Sequence, residues 1–349
     1  MFRLDGLRLD ATQSIIDNSP EHVVRVIVQR ARKAARDREI FIAAENERQD
    51  IAFIRKYGVD AMWNDDWHHA SMIAAGGKRE AYYSDYRGRP QEFVSMARHG
   101  FLYQGQRYSW QKMRRGTPAL DTPPQPLVCY LQNHDQVANT ETGARLHQTT
   151  SPGTFRALTA LLLLGANTPM LFQGEEFAAS APFLYFADHK PDLAKAVAKG
   201  RAEFMTQFRS VRTSLLDAPD DVQTFERSKL DHSERETHED AVALHRDLLR
   251  LRRELGPPES VDGAVLSDEA FLLRFGDDRV LIINLGPALE LDIAPEPLLA
   301  PPTNAKWKLV WCSEKCTQVE FDADPSWRIP AESAVLLVAA PSPAASLSI

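Results

Sequence analysis

Three short clusters concentrate groups able to carry acid–base and charge-stabilising chemistry. The first is Asp5-Gly6-Leu7-Arg8-Leu9-Asp10-Ala11. Residues two apart along a strand face the same way, so Arg8 and Asp10 share a side. A guanidinium beside a carboxylate lowers its pKa and keeps it ionised, the state a nucleophile needs. The second, Phe41-Ile42-Ala43-Ala44-Glu45-Asn46-Glu47, delivers Glu45 at the end of an apolar run. A carboxyl held against apolar walls has a raised pKa and can donate a proton. The third runs Leu131-Gln132-Asn133-His134-Asp135-Gln136-Val137-Ala138-Asn139 and is dense in hydrogen-bonding side chains. There Asp135 could stabilise developing positive charge, and His134 could grip a hydroxyl-bearing ligand. Each cluster also has a plainer reading: an ion pair at a strand end, Glu45 or Glu47 capping the next helix, or a polar turn.

The surrounding pattern must place these clusters. Strands are predicted at Phe2–Leu9, Glu39–Ala44, Val59–Trp63, Leu127–Gln132 and Thr168–Phe172. A helix is predicted to start at Asn18-Ser19-Pro20-Glu21, with Ser19 as N-cap and Pro20 at the first position. Val23, Val24, Ile27, Val28 and Ala31 continue it at helical spacing. Another helix covers Phe155–Leu164. Strands alternating with helices predict an α/β fold with a parallel sheet, and the clusters fall at the carboxyl ends of its strands. Residues 64–126 read as a long, mostly polar insertion, the kind of loop that usually serves function.

A long helix spans Glu239–Leu255, where Ala241, Leu244, Leu248, Leu251 and Leu255 form one apolar stripe. After Gly256-Pro257-Pro258 the texture changes. Phe271–Phe275, Val280–Leu285, Trp307–Trp311 and Ala334–Val338 read as antiparallel strands, with Gly276-Asp277-Asp278 as a hairpin turn. The expected organisation is therefore an α/β domain over 1–258, an all-β domain over 259–342 and a loose tail over 343–349.

The chain has 349 residues, 44% hydrophobic and 26% charged, and so has ample material for a core. Its formal net charge of −7 is spread along the chain, which argues against a nucleic-acid partner. Met1-Phe2-Arg3-Leu4-Asp5 lacks a basic segment followed by an apolar run, so no leader is expected. The longest mostly apolar run, Ala157–Ala166, is too short to cross a membrane. Cys129, Cys312 and Cys316 are too few for a disulfide framework or a zinc site and are expected as reduced thiols in a cytoplasmic protein. No metal or cofactor motif is visible; His68-His69 alone is a poor metal site. Trp63, Trp67 and Tyr103 could stack on a ligand or serve packing.

The three acidic clusters resemble, in order and position, the regions of the α-amylase superfamily (glycoside hydrolase family 13) that hold its nucleophile, acid/base and third aspartate. Further segments are similar to the malto-oligosyltrehalose trehalohydrolase family within it: Trp63-Asn64-Asp65-Asp66-Trp67-His68-His69, Tyr103-Gln104-Gly105-Gln106, the string Gln132 to Asn139, and Gly174-Glu175-Glu176-Phe177 continuing to Tyr185-Phe186-Ala187-Asp188-His189. The resemblance spans about residue 2 to 340. It implies a (β/α)8 barrel followed by a small antiparallel β-sandwich. It also implies retaining hydrolysis of the α-1,4 bond next to the trehalose end of maltooligosyltrehalose, as part of trehalose biosynthesis. By the same resemblance Asp10 matches the nucleophile, Glu45 the acid/base and Asp135 the stabiliser. Arg8, Asn64, Asp65, Asp66, Trp67, His68, Tyr103, His134, Gln136 and Asn139 match substrate-contacting positions. No metal and no cofactor are implied, and the partner is maltooligosyltrehalose or a related α-glucan. Adjacent parallel strands lie about 4.8 Å apart, which suits the short carboxyl separation of retaining enzymes.

The family pattern also contains a β-rich domain and three barrel strands ahead of the first cluster. The expectation is a partial barrel, strands four to eight, with weak or no activity alone. A non-catalytic remnant that binds α-glucans, and another member of the superfamily such as an amylase or branching enzyme, stay open as alternatives. Oligomeric state is not legible.

Overall fold

The computed structural model describes residues 4–291, 296–314 and 327–341. Two five-stranded sheets organise it. The first is parallel, in the order β1 (Gly6–Leu9), β2 (Phe41–Ala44), β3 (Ala61–Trp63), β6 (Leu127–Cys129), β7 (Thr168–Pro169). A short hairpin, β4 (Arg107–Tyr108) with β5 (Met113–Arg114), interrupts that series in sequence. The second sheet is antiparallel, in the order β12 (Ala305–Cys312), β14 (Ser333–Pro341), β10 (Arg279–Asn284), β9 (Ala270–Phe275), β8 (Asp262–Val265). A further antiparallel pair joins β11 (Leu289–Leu291) to β13 (Trp327–Ile329). The helices used below are α1 (Val23–Ala35), α2 (Asp65–Ala74), α3 (Pro90–His99), α4 (His134–Ala138), α5 (Pro152–Leu164), α6 (Pro191–Met205) and α7 (Glu239–Leu255).

The register of the parallel sheet sorts its side chains by face. Arg8 pairs with Ala43, Ala43 with Ala61, and Trp63 with Val128. Ile42, Ala44, Met62 and Leu127 point to one face and pack under Val24 and Val28 of α1. Ala43, Ala61, Trp63, Val128 and Tyr130 form a separate cluster on the other. Arg8 belongs to that second face, as strand alternation requires. Gly6 permits the tight approach of β1 to β2, since a Cβ there would meet the Phe41 carbonyl oxygen at 2.0 Å.

The same alternation splits the antiparallel sheet. Phe271, Leu273, Phe275, Leu281, Ile283, Ala334 and Leu336 join a core with Phe93 of α3, Leu158 and Leu162 of α5, and Leu248 and Leu251 of α7. Leu272, Val280, Ile282, Val335 and Leu337 face the other way, toward Leu299, Trp307 and Ile329. Phe93 and Phe271 stack with ring centroids 5.3 Å apart. The sheet is thus buried on both faces.

Several expectations change. Helix α1 starts at Val23, with His22 as N-cap, because Asp17 accepts hydrogen bonds from the Ser19 and Val23 N–H groups and holds Ser19-Pro20 in a preceding turn. The parallel strands are shorter than their apolar runs. The 64–126 stretch is folded rather than loop-like: Asn64 caps α2, Pro90 opens α3, and the β4–β5 hairpin follows. Cys129 is a buried free thiol, whereas Cys312 is disulfide-bonded, correcting the expectation of a thiol at the end of β12. Cys316 and the expected tail over 343–349 lie outside the described residues. Among the described residues no helix is long and apolar enough to cross a membrane.

Candidate active site

The ends of β1 and β2 are stitched together. Glu45 N–H donates to the Leu9 carbonyl at 2.9 Å, and Thr12 N–H returns to the Glu45 carbonyl at 3.0 Å. Thr12 Oγ1 donates to the same carbonyl at 2.6 Å and accepts from Asn46 Nδ2 at 3.0 Å. Ala11 adopts the left-handed region, with φ 43°. Its N–H donates to Glu45 Oε2 at 2.8 Å. A side chain from one strand end is therefore fixed by the backbone of its neighbour.

Arg8 bridges the two carboxylates. Its Nη1 lies 2.5 Å from Asp10 Oδ1 and its Nη2 3.1 Å from Glu45 Oε2. The guanidinium sits 4.1 Å from the centroid of the Trp63 ring, which fixes its plane. Asp10 is mostly exposed, its side chain retaining 72% of its accessibility, whereas that of Glu45 retains 21%. This asymmetry separates their proton affinities. The Asp10 carboxyl is held below its usual range, chiefly by a hydrogen bond with Glu45, then by Arg8 and the charge of His134. Burial pushes Glu45 up to about 7, with Asp10 and Asp65 adding to the rise and the Ala11 N–H and Arg8 opposing it. Below neutral pH the pair thus holds one ionised carboxylate beside one carboxylic acid.

Asp135 lies in the first turn of α4. Asn133 caps that helix, its Oδ1 accepting from the Asp135 and Gln136 N–H groups at 2.9 and 3.0 Å. The Asp135 side chain is half-exposed, 3.3 Å from His134 Nε2. The His134 ring meets Trp63 edge-on at 6.3 Å. Arg8, Trp63 and His134 therefore form a continuous bridge from Asp10 and Glu45 to Asp135, along the carboxyl ends of β1, β2, β3 and β6.

The other expected site residues divide. Asp65 keeps 13% of its side-chain accessibility, accepts from Tyr130 Oη at 2.5 Å and lies 3.5 Å from Arg115 Nη2. Asp66 is fully buried, its oxygens taken by Tyr86 Oη, the Leu102 and Tyr103 N–H groups and Arg115 Nε. Asn64 is buried, accepting from the Trp67 N–H and donating to the Gly100 carbonyl. Trp67 is 1% exposed and packs against Phe93. Protein thus encloses Asn64, Asp66 and Trp67, and these side chains brace α2. His68 is buried too, its Nδ1 2.8 Å from the Leu131 carbonyl and its Nε2 3.2 Å from Tyr83 Oη. Burial lowers its pKa to about 4, so it is neutral. Tyr103 is half-buried, its hydroxyl donating to Asp85 at 3.4 Å. Gln136 and Asn139 flank a cavity on the far side of α4, where Asn139 Oδ1 accepts from Arg201 of α6 at 3.2 Å.

Sequence reasoning did not single out Arg115. It is 1% exposed and the counter-charge to both Asp65 and Asp66. Nothing in Met113-Arg114-Arg115 separates it from its neighbours, because its partners lie about fifty residues away. Glu47, two residues on from Glu45, is partly buried with its pKa raised by burial, and accepts from Gln111 Nε2 at 2.6 Å. Among the described residues no His, Cys, Asp and Glu group is arranged to hold a metal ion.

Comparison with known proteins agrees with this architecture. A family model described as a domain of unknown function (DUF3459) matches residues 258–336. The malto-oligosyltrehalose trehalohydrolase of Deinococcus radiodurans is 38% identical over 259 residues, 72% of this chain and 42% of that protein. The Mycobacterium tuberculosis enzyme of that name is 37% identical over 264 residues, 72% of this chain and 45% of its own length. The Saccharolobus solfataricus one is 33% identical, over 73% of this chain and 44% of that protein. The chain spans about half the length of the curated relatives it matches. Among solved structures, one from Salmonella typhimurium assigned to the α-amylases superposes with TM-score 0.79 and 31% identity, covering 96% of this chain and 57% of that one. An α-amylase from H. orenii, 14% identical with TM-score 0.56, shares the fold. The chain belongs to the malto-oligosyltrehalose trehalohydrolase family of the α-amylase superfamily.

Proposed function

We propose that this chain carries the catalytic carboxylates of a retaining glycoside hydrolase that cleaves the α-1,4-glucosidic bond next to the trehalose end of maltooligosyltrehalose. The observation that carries the reading is the Arg8-bridged pair, one carboxylate ionised and one protonated, at adjacent strand ends. Glu45 donates its proton to the departing glycosidic oxygen while an Asp10 oxygen attacks the anomeric carbon. The C–O bond to the leaving sugar breaks as a glycosyl ester to Asp10 forms. Water, deprotonated by Glu45, then releases the sugar and regenerates both groups. Asp135 faces the positive charge that builds on the ring, and His134 and Arg8 offer donors to hydroxyls. Asp65 and Tyr103 extend the contact surface.

In this reading the parallel sheet corresponds to strands four to eight of a (β/α)8 barrel, residues 1–258 form the catalytic domain and 259–342 the β domain. A cytoplasmic location belongs to the same proposal. The test is trehalose release from maltooligosyltrehalose, with Asp10→Asn and Glu45→Gln as controls. Release abolished by both changes supports the reading. Equal background in all three chains supports a non-catalytic glucan-binding remnant, and release of maltose from starch instead points to a different α-glucan enzyme.

A further inference from the structure

Glu175 is an enclosed carboxyl outside the chemistry of Asp10, Glu45 and Asp135. It is 0% exposed and opens the short turn Glu175–Phe177 that follows β7. Arg145, also 0% exposed, braces this stretch, its Nη1 and Nε each donating at 2.7 Å to the carbonyls of Gln173 and Ala181. Two donors converge on the Glu175 carboxyl. The Phe172 N–H reaches its Oε2 at 3.2 Å, and the side chain of Gln132 hydrogen-bonds the same carboxyl. The Gln132 Oε1 already accepts the Leu146 N–H at 2.8 Å, so its Nε2 is the atom that donates to Glu175. A polar tie thus runs from the end of β7 to the end of β6.

Gln132 directly precedes the turn that carries Asp135. Asn133 caps α4 by accepting the Asp135 and Gln136 N–H groups. From the other side His68 of α2 holds the Leu131 carbonyl, its Nδ1 2.8 Å away. The stretch 131–133 is therefore gripped both from α2 and from the end of β7. A carboxylate suits the second grip, because both of its oxygens accept. An amide at 175 accepts only one of the two donors and turns its own NH2 toward the other. Burial pushes the Glu175 carboxyl up to about 7, with Glu176 adding to the rise and the Phe172 N–H, Gln132 and Arg145 opposing it. Glu176 itself pairs with Arg235 at 2.8 Å. At pH 8 Glu175 is thus ionised and offers both acceptors. We propose that Glu175 is a positioning residue, which through Gln132 sets the turn bearing Asp135. Its part in hydrolysis rests on the glycosidase reading above.

The test is the exchange of the Asp135 and Gln136 N–H groups with water, read by NMR on the full chain at pH 8. Glu175→Gln should speed that exchange roughly tenfold. Combining Glu175→Gln with Gln132→Glu should restore it to within about twofold. The pair then keeps its bonds with donor and acceptor reversed. The carboxylate at 132 accepts the Leu146 N–H and the amide at 175, whose oxygen accepts the Phe172 N–H. Unchanged exchange at Ile42 and Met62 of the parallel sheet verifies folding. A carboxyl with only a packing role would loosen all these amides alike, and the second substitution would not repair them. Should Glu175→Gln fail to fold, Gln132→Met cuts the same tie from the other end and serves as the single variant. Unaltered exchange at Asp135 and Gln136 in a folded single variant overturns the proposal. So does a double variant no better than the single one, or a rise that is equal at Ile42 and Met62. Where the native chain releases trehalose, Glu175→Gln should lower kcat about tenfold with KM within about twofold, and the double variant should recover it. A native chain that releases none loses the hydrolase reading, and the exchange pattern still decides the tie.

Discussion

Replacing Glu45 by Gln should stabilise the protein relative to the native chain increasingly as pH rises from about 4.5 to about 7. In the folded chain Glu45 keeps its proton up to about pH 7, against an ordinary 4.5 when unfolded. The folded state therefore binds more protons between those values, and the protein loses stability as pH rises through that window. At about 1.4 kcal/mol per pH unit, the loss amounts to about 2 to 3 kcal/mol by pH 8. Below pH 4.5 Glu45 is neutral in both states and the penalty vanishes. Gln is neutral throughout, so the variant should gain about 2 to 3 kcal/mol on the native chain between pH 4 and pH 8. Any packing difference between Gln and Glu is common to both pH values and cancels. Urea unfolding of both chains at the two pH values measures this, provided the slopes agree. An advantage that is equal at both pH values, or larger at pH 4, would refute the argument that burial rather than Arg8 sets this carboxyl.

Three other outcomes follow from the same geometry. Asp10→Asn removes the neighbouring negative charge and offers Glu45 a donor, so Glu45 should titrate at least about one pH unit lower; carboxyl-carbon NMR, with Glu45→Gln for assignment, reads this directly. Arg115→Met leaves Asp65 and Asp66 without their buried counter-charge, and should cost about 3–5 kcal/mol in urea unfolding. Asp135→Asn alters a half-exposed side chain and should change stability by less than about 0.5 kcal/mol, while trehalose release, where it is measured, should fall by orders of magnitude.

What the sequence disclosed followed periodicity and local chemistry. The Glu239–Leu255 helix shows its apolar stripe in every turn and was located to the residue. The apolar runs 271–275 and 280–285 with Gly276-Asp277-Asp278 between them anticipated the antiparallel pairing of β9 and β10. Asp10 stood out by sharing a strand side with Arg8, and Glu45 by ending the apolar run Phe41–Ala44. The rest depended on partners distant in the chain. Asp65, Asp66, Trp67 and His68 have the composition of a polar recognition loop, but Arg115, Tyr86, Tyr130 and Leu131 draw them inward. Asn64 before Asp65-Asp66, and Pro90 with Glu92 behind it, were readable helix starts that the overall polarity of 64–126 obscured. Ser19-Pro20 misled because Asp17, two residues earlier, claims the same backbone groups.

The antiparallel sheet has a consequence for modular engineering. Phe271, Leu273 and Leu336 complete the same hydrophobic interior as Phe93, Leu158 and Leu248, so a cut at Pro258 severs the polypeptide without finding a seam in the packing. A transplanted carboxyl-terminal unit from a relative would arrive with side chains shaped for another host's helices. Chimeras joined there should fold well only when the α3, α5 and α7 surfaces travel with the graft.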